Sequence, residues 1–234
     1  MSGDSTMNQQ VILVKDAFKT PDVKPLVARM VNNGSITDPD CAKGKLLNCA
    51  AHLFKTKGFT RTTVRDIARD VGILSGSIFH HFPNKESILC GAIQEALLIA
   101  TEKMKTSLEL ASTPKERLLA LIQCELEAIH GLTGEGFSLM VNEWRSLSSE
   151  SQAELLTLKD EYEKLWMDIL IEAREVNLIA VDSFLVRRFL IGALSYTYNW
   201  FNFDCGMTLE NLATDTFKMI TQDSLSNMNG AQRQ

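Results

Sequence analysis

The chain has 234 residues, 45% of them hydrophobic and 23% charged, and its formal net charge is −5. This composition predicts a globular protein with a buried core. It excludes a disordered chain, a collagen-like repeat and an apolar run long enough to span a membrane. Because the chain has only 5 prolines and 13 glycines and its regular stretches are rich in Leu, Ala, Glu and Lys, the fold class is predicted to be all-α.

The five cysteines are scattered and form no CxxC pair. Structural zinc needs clustered ligands, and disulfide frameworks are typical of small secreted chains, so we expect no metal and reduced thiols. The first twenty residues carry Asp4, Lys15 and Asp16 and lack the apolar run of a signal peptide. These features predict a cytoplasmic protein.

Residues 1–42 are interpreted as a partly flexible N-terminal extension. One short helix is predicted from Lys24 to Val31, because Asn32-Asn33-Gly34 would end it. Asp38-Pro39-Asp40 then indicates a turn. The slightly negative charge of this extension argues against a basic arm for the minor groove of DNA.

Residues 43–90 begin with two predicted helices. Apolar residues between Leu46 and Phe54 share one helical face, and Gly58 follows as the expected cap at its C-terminal end. Thr63 with Asp66 three residues later approximates a capping box for the second helix.

The next stretch, "DVGILSGSIFHHFPNKESIL", predicts a sharp corner followed by a third short helix. Gly72 breaks the second helix, Ser75 is placed to cap the third, and Pro83 ends it. Asn84 can then cap a long helix running to about Leu110. Three short helices with a glycine corner are the pattern of a helix-turn-helix.

The charge of this block differs from that of the rest of the chain. Residues 43–90 carry eight Lys or Arg against three Asp or Glu, whereas residues 91–234 carry twelve against twenty-one. A basic block within an acidic protein is typical of a module that binds a polyanion. The partner predicted from this pattern is double-stranded DNA.

Residues 91–223 are predicted to form a helical ligand-binding and dimerisation domain, and residues 224–234 a polar tail. Beyond the long helix, the periodicity predicts helices over about 114–130, 136–147, 149–176, 182–203 and 208–222.

The segment "LLNCAAHLFKTKGFTRTTVRDIARDVGILSGSIFHHFPNKESIL" resembles the DNA-binding domain of TetR-type transcriptional regulators at many spaced positions. "GALSYTYNWFNFDCGMTLENLA" is similar, more loosely, to the end of the ligand-binding domain in one branch of that family. The resemblance implies a homodimer with a three-helix head and a helical body. It also implies a repressor that binds a near-palindromic operator and is released by a small effector, here of fatty acyl or acyl-CoA type.

The DNA-binding residues are placed by this match. The second helix would offer Thr62 and Thr63 to the phosphate backbone, and His80 would reach a phosphate. Phe79 departs from the tyrosine usual in the family and keeps only the packing, while His81 is expected in the core of the head. The full predicted set is Lys45, Thr62, Thr63, Arg65, Leu74, Ser75, Gly76, Ser77, Phe79, His80 and Lys85.

Two further sets are predicted in the body. Bulky residues on helices that would enclose an apolar effector cavity are Phe137, Met140, Trp144, Tyr162, Trp166, Leu170, Tyr196 and Trp200. Charged candidates for its polar end are Glu143, Arg145, Arg174 and Arg187. A dimer interface on the last two helices would use Gly192, Ser195, Asn199, Leu209, Leu212 and Phe217.

Two other functions remain open from the sequence alone. An all-α enzyme with a buried apolar pocket is disfavoured because no HExxH, P-loop, GxGxxG or GxSxG motif is present. A helix-turn-helix used only for protein contacts would share every feature described so far.

Overall fold

The computed structural model describes residues 18–131 and 134–221, and α-helix dominates these residues. The α-helices are α1 (Val23–Asn32), α2 (Ala42–Lys57), α3 (Val64–Val71), α4 (Ser75–Ile78), α5 (Lys85–Leu110), α6 (Pro114–His130), α7 (Gly134–Asn142), α8 (Ser149–Glu175), α9 (Ser183–Tyr196) and α10 (Leu209–Ile220). Short 3-10 turns cover Trp144–Ser146, Thr197–Asn199 and Phe203–Cys205. The all-α prediction is confirmed. The polar tail and residues 1–17 lie outside the described residues.

Local capping chemistry sets several helix starts. The Thr63 hydroxyl accepts from the Asp66 N–H while the Asp66 carboxylate accepts from the Thr63 N–H, which closes the capping box predicted for α3. Asn84 does the same for α5 with Ser87. These short-range bonds explain why the boundaries of both helices follow from the sequence.

The head consists of α2, α3 and α4 around one small core. Leu46, Ile67 and Ile78, one from each helix, are completely buried. Between α3 and α4 the chain turns at Gly72, whose φ of 80° and ψ of 31° lie in the left-handed region. This geometry is the predicted helix-turn-helix.

Three helices differ from the prediction at their ends. Leu74, not Ser75, occupies the N-cap of α4, and no side chain caps that helix. The α-helical part of α4 is only four residues long, because i→i+3 bonds such as His80 N–H to Ser77 O tighten its end. α7 ends at Asn142 and α9 at Tyr196, each followed by a 3-10 turn rather than by continued α-helix.

The body is built around α5, which continues from the head and packs against α6, α7 and α8. Tyr162 and Trp166 of α8 are fully buried at its centre. No helix of residues 18–131 or 134–221 has the length and apolar character needed to cross a bilayer. The part of the N-terminal extension that is described, residues 18–41, is docked on α5 instead of being loose.

Candidate DNA-binding surface and effector-binding groove

The segment from Leu74 to His80 presents an exposed edge backed by a buried one. Leu74 is 80% exposed and Phe79 is 54% exposed, and His80 is exposed beside them. Ile78 and Phe82 face inward with exposures of 0% and 6%. The segment is therefore anchored from behind and offers its outer side chains to a partner.

Gly76 lies on the exposed side of this helix. A Cβ built at this position would meet no atom within 4 Å, so packing within the chain does not require a glycine here. The missing side chain keeps the front of the helix thin, which suits insertion into the major groove.

Thr62 does not occupy the position predicted for it. Its side chain is completely buried, and its hydroxyl lies 3.2 Å from Leu53 O and 2.9 Å from Gly58 O, to which it donates. The phosphate contact predicted for Thr62 is wrong, because a buried hydroxyl that serves the α2–α3 turn cannot reach DNA.

Thr63 is exposed, but its donors are already used. Both its hydroxyl and its N–H donate to Asp66 Oδ2, at 2.7 and 2.9 Å. These bonds, together with a weaker contribution from Arg69, lower the pKa of Asp66 to about 2. A phosphate at this helix end would have to displace a carboxylate.

The Lys85 ammonium group is directed into the head instead of toward solvent. Its Nζ donates to Phe59 O at 2.8 Å and to Thr62 O at 2.9 Å, and it lies 4.2 Å from the centre of the Phe59 ring. The phosphate contact predicted for Lys85 is replaced by a structural role, since this amine closes the turn between α2 and α3.

Other predicted residues of the head are accessible. Lys45 and Arg65 are exposed and make no ion pair within the part of the chain that is described. Ser75 and Ser77 are partly exposed at the front of α4. His81 is exposed as well, which corrects its predicted place in the core, because the inward contacts here come from Ile78 and Phe82.

The residues predicted to line an effector cavity separate into two groups. Phe137, Met140, Tyr162, Trp166 and Leu170 are buried and belong to the continuous core of the body. Tyr196 and Trp200 are 64% and 53% exposed, and Trp144 is partly exposed. The prediction that these eight side chains enclose one interior cavity is therefore wrong for Trp144, Tyr196 and Trp200.

A groove of about 460 Å³ runs between α7 and α9. Its walls come from both helices, and its lining residues are Ile129, Phe137, Ser138, Val141, Asn142, Ile191, Gly192, Ser195, Tyr196, Tyr198 and Asn199. The buried hydroxyl of Ser195 makes no hydrogen bond within the described residues. This groove combines an apolar lining with a few polar groups, as small-molecule sites do.

A buried charge cluster joins α6, α8 and α9. Arg187, only 3% exposed, donates to Glu125 Oε2 at 3.0 Å and to Glu163 at 2.9 Å, and its guanidinium lies over the Trp166 ring at 4.5 Å. Tyr162 donates its hydroxyl to Glu125 at 2.9 Å. Burial raises the pKa of Glu125, and Arg187 opposes that shift.

The cluster was not predicted, because Glu125 and Glu163 carry no motif. The cluster also occupies Arg187, one of the charged residues predicted to bind the effector, with Glu125 and Glu163 as its ion-pair partners. Two more of those candidates have internal partners. Glu143 accepts from the Phe59 N–H, and Arg174 pairs with Asp182 at 2.9 Å.

The predicted dimer residues also divide between two roles. Gly192 and Asn199 are exposed on α9 and its following turn, and Ser195 is partly exposed. By contrast, Leu209, Leu212 and Phe217 of α10 pack on the core of their own chain, where α10 contacts α6. The apolar stripe of α10 is thus partly covered within the chain, and each of these three side chains stays partly exposed.

One exposed apolar surface of the body lies on α9. Phe184 and Leu185 are 56% and 45% exposed, and Phe189 is 72% exposed one turn later. The i, i+4 spacing of Leu185 and Phe189 was visible in the sequence, but α9 is apolar on more than one side, so the pattern could not say which side the core covers. No group of three potential metal ligands is present in residues 18–131 and 134–221.

The profile described as "Bacterial regulatory proteins, tetR family" matches residues 46–90, and the one described as "Tetracyclin repressor-like, C-terminal domain" matches residues 111–223. The HTH-type transcriptional repressor KstR2 of Mycolicibacterium smegmatis is 32% identical over 173 residues, which cover 70% of this chain and 82% of that protein.

Two solved structures share the fold. One, described as the superantigen pfit, is 50% identical with a TM-score of 0.72, covering 86% of this chain and 99% of that one. The other, AibR in complex with isovaleryl coenzyme A and operator DNA, is 22% identical with a TM-score of 0.69, covering 76% and 97%. Both profile matches and the KstR2 similarity agree with the exposed helix-turn-helix. The chain resembles the KstR2 repressors, and it therefore belongs to the TetR family of transcriptional regulators, which are not enzymes.

Proposed function

We propose that this protein is a dimeric, cytoplasmic repressor that binds a near-palindromic operator and releases it when a lipophilic effector occupies the α7–α9 groove. The observation that carries the proposal is the exposed Leu74–His80 edge, held from behind by Ile78 and Phe82. An exposed apolar and aromatic edge on a small basic head indicates a surface that binds a partner.

DNA is the partner that the charges favour. The head carries a net positive charge within an acidic protein. Lys45 and Arg65 are exposed and available to phosphates, and the exposed His80 ring can donate a hydrogen bond to a phosphate oxygen. Leu74 and Phe79 can make van der Waals contacts with thymine methyl groups and sugars, because their side chains are apolar.

A second copy of the chain is the proposed partner for α9. Phe184, Leu185 and Phe189 project from one helix, and a Cβ at Gly192 would meet nothing within 4 Å, so another helix can approach closely there. Pairing α9 across a two-fold axis would bury these side chains and place two heads on one duplex.

The effector is proposed to be a fatty acyl or acyl-CoA type molecule. The groove volume of about 460 Å³ lies within the usual range for small ligands, roughly 300–1,000 Å³. One wall is α7, which contacts the head, and the other is α9, the proposed dimer helix. A ligand that prefers one arrangement of these walls would shift the population of head positions.

Fluorescence anisotropy with labelled duplexes from the DNA upstream of the gene tests operator binding. We expect the replacements Leu74→Ala and His80→Ala each to weaken binding about tenfold, and the affinity of the parent protein to fall as the salt concentration rises. Met219→Ala is the matched control, since Met219 is 83% exposed and lies on α10. Equal affinity for all four proteins would contradict the proposal and favour a head used for protein contacts.

Sedimentation and mass spectrometry test the other two parts. The parent should sediment as a dimer at micromolar concentration, and Phe189→Glu should sediment as a monomer with unchanged helix content. A fatty acyl species should be recovered from the purified protein, and Val141→Trp, which narrows the groove from the α7 side and leaves α9 unchanged, should lose it. Recovery of polar metabolites alone would reject the effector class.

A further inference from the structure

Residues 18–41 form a folded strap along the body, which we call the N-terminal strap. Leu26 and Met30 of α1, together with Ile36, are buried against Ile99 of α5. These residues make a small hydrophobic cluster that is separate from the main core. The strap is thus held by burial of its own apolar face and not by one isolated contact.

Polar contacts fix the strap at three points along its length. At its start, the Thr20 hydroxyl lies 2.8 Å from Glu127 Oε1 on α6. In α1, Arg29 pairs with Glu102 at 2.6 Å, and further along the Thr37 N–H donates to Glu95 at 3.0 Å. Two of these three partners lie on α5, so the strap follows that helix toward the head.

The end of the strap touches the first helix of the head. Cys41 is the N-cap of α2, and its N–H donates to Asp38 O at 3.2 Å. A Cβ built on Gly44 of α2 would lie 2.1 Å from Asp38 O, so the strap's final turn rests directly on the helix backbone. Gly44 is therefore required by close approach.

The segment between Thr37, the last strap residue bound to the body, and Cys41, at the start of α2, is short. Thr37 is fixed to the body and Cys41 to the head, and four residue steps span at most roughly 14 Å when fully extended. The turn at Asp38–Cys41 shortens this reach further. Consequently α2 cannot move far from α5 while Thr37 remains bound to Glu95.

The chain thereby joins the head to the body at both ends of the head's sequence, in addition to the contacts that α7 makes with α2 and with the α2–α3 turn. One connection is α5, which continues directly from the head at Lys85, and the other is the strap, which enters α2 from the opposite end of the head's sequence. Each attachment of a rigid unit reduces its freedom to pivot, and the strap adds one on the side of the head where its sequence begins.

We propose that the N-terminal strap is a brace that sets the angle of the helix-turn-helix head relative to the body. Its docking restricts head motion before DNA arrives, so that two heads present their recognition edges at a defined spacing. An undocked strap would give the heads more freedom to pivot, and operator binding would then have to offset a larger loss of conformational entropy. The DNA-binding consequence rests on the proposed operator function, but the restriction of head motion does not.

Leu26→Glu should undock the strap, because it places a carboxylate in the small cluster against Ile99. Ala28→Glu is the matched control, since it puts the same side chain on the exposed face of α1. Arg29→Glu is a milder variant that repels Glu102 and leaves the buried cluster unchanged. Each variant is made in the full-length chain and compared by hydrogen exchange and by operator anisotropy.

We expect Leu26→Glu to speed amide exchange by tenfold or more in the strap and also in α2 and α4, and to weaken operator binding about tenfold. Arg29→Glu should shift both readouts in the same direction by a smaller factor, and Ala28→Glu should match the parent. The brace is rejected if the strap exchanges rapidly while exchange in α2 and α4 stays at the parental level. If Leu26→Glu does not fold, the same criterion applies to Arg29→Glu. If the parent binds no operator, the proposed function fails, and exchange in the head still decides the brace.

Discussion

Glu143 accepts a hydrogen bond from the backbone N–H of Phe59 at 3.1 Å, which joins the end of α7 to the turn between α2 and α3 across 84 positions of sequence. At the other end of α7, Glu135 lies 2.7 Å from His52 of α2. The helix that walls the proposed effector groove is therefore tied to the head at both of its ends.

The hydrogen bond of Glu143 should contribute measurably to stability. We expect Glu143→Ala to lower the free energy of unfolding by about 1–2 kcal/mol, because the charged acceptor is removed and a partly buried N–H is left without its partner. Urea denaturation at fixed protein concentration measures this. Glu109→Ala, an exposed glutamate near the end of α5, is the control and should change the free energy by less than about 0.5 kcal/mol. Equal effects of the two variants would show that the hydrogen bond contributes nothing.

Lys85 provides a second prediction, which separates a structural lysine from a phosphate-binding one. Lys85→Met should lower the melting temperature, because Phe59 O and Thr62 O both lose their donor. The slope of log affinity against log salt should stay at its parental value. By contrast, Lys45→Met or Arg65→Met should keep the melting temperature and reduce the slope by about 0.9, as expected when one phosphate is no longer neutralised. A Lys85→Met slope reduced by the same amount would restore the phosphate role.

The contrast between Thr63 and Lys85 shows how far the sequence could predict this site. The capping box of Thr63 and Asp66 spans three residues, so the pattern alone determines it. Lys85 reaches carbonyls that lie 23 and 26 positions earlier in the chain, and those hydrogen bonds exist only after the head has folded. The sequence pattern of a lysine at a helix start is the same whether its amine contacts DNA or a carbonyl within the protein.

The same limit applies to the apolar stripes. Leu209, Leu212 and Phe217 repeat at helical spacing, and this pattern fits a face against α6 as well as a face against a second subunit. Helix types and most boundaries depend on local periodicity and caps and were predicted. Which neighbour covers each face depends on how the helices assemble, and periodicity does not contain that information.

His130 predicts a specific dependence of stability on pH. Its Nε2 lies 2.8 Å from the Thr197 hydroxyl, which itself donates to Leu194 O, so the imidazole must be the donor. Burial lowers the pKa of His130 below its usual 6.5. As the pH falls through that value, the unfolded state therefore binds more protons than the folded state, and stability decreases.

We expect the free energy of unfolding to fall between pH 7.5 and 5.5 by more in the parent than in His130→Gln. The glutamine amide can still donate to Thr197 but does not titrate in this range. Denaturation curves at both pH values provide the comparison, and His81→Gln serves as the control because His81 is exposed. Parallel pH dependence in the parent and in His130→Gln would mean that the pKa of His130 is the same in the folded and unfolded states.

The buried pair of Arg187 and Glu125 should be the most sensitive charged contact in the body. Their side chains are 3% and 1% exposed, so removing the guanidinium leaves a carboxylate in the core without its cation. We expect Arg187→Met to lower the free energy of unfolding by about 3–5 kcal/mol. Arg174→Met breaks a solvent-exposed pair with Asp182 and should cost less than about 1 kcal/mol.

The second substitution Glu125→Gln distinguishes the effect of charge balance from the effect of packing. A neutral amide oxygen can still accept the Tyr162 hydroxyl, and it carries no charge that requires Arg187. The double variant Arg187→Met/Glu125→Gln should therefore recover more than half of the stability that Arg187→Met removes, as measured by urea denaturation of all four members of the cycle. If the double variant is as unstable as Arg187→Met, the guanidinium acts by packing on Trp166 and by pairing with Glu163, and the charge on Glu125 is not what makes its removal costly.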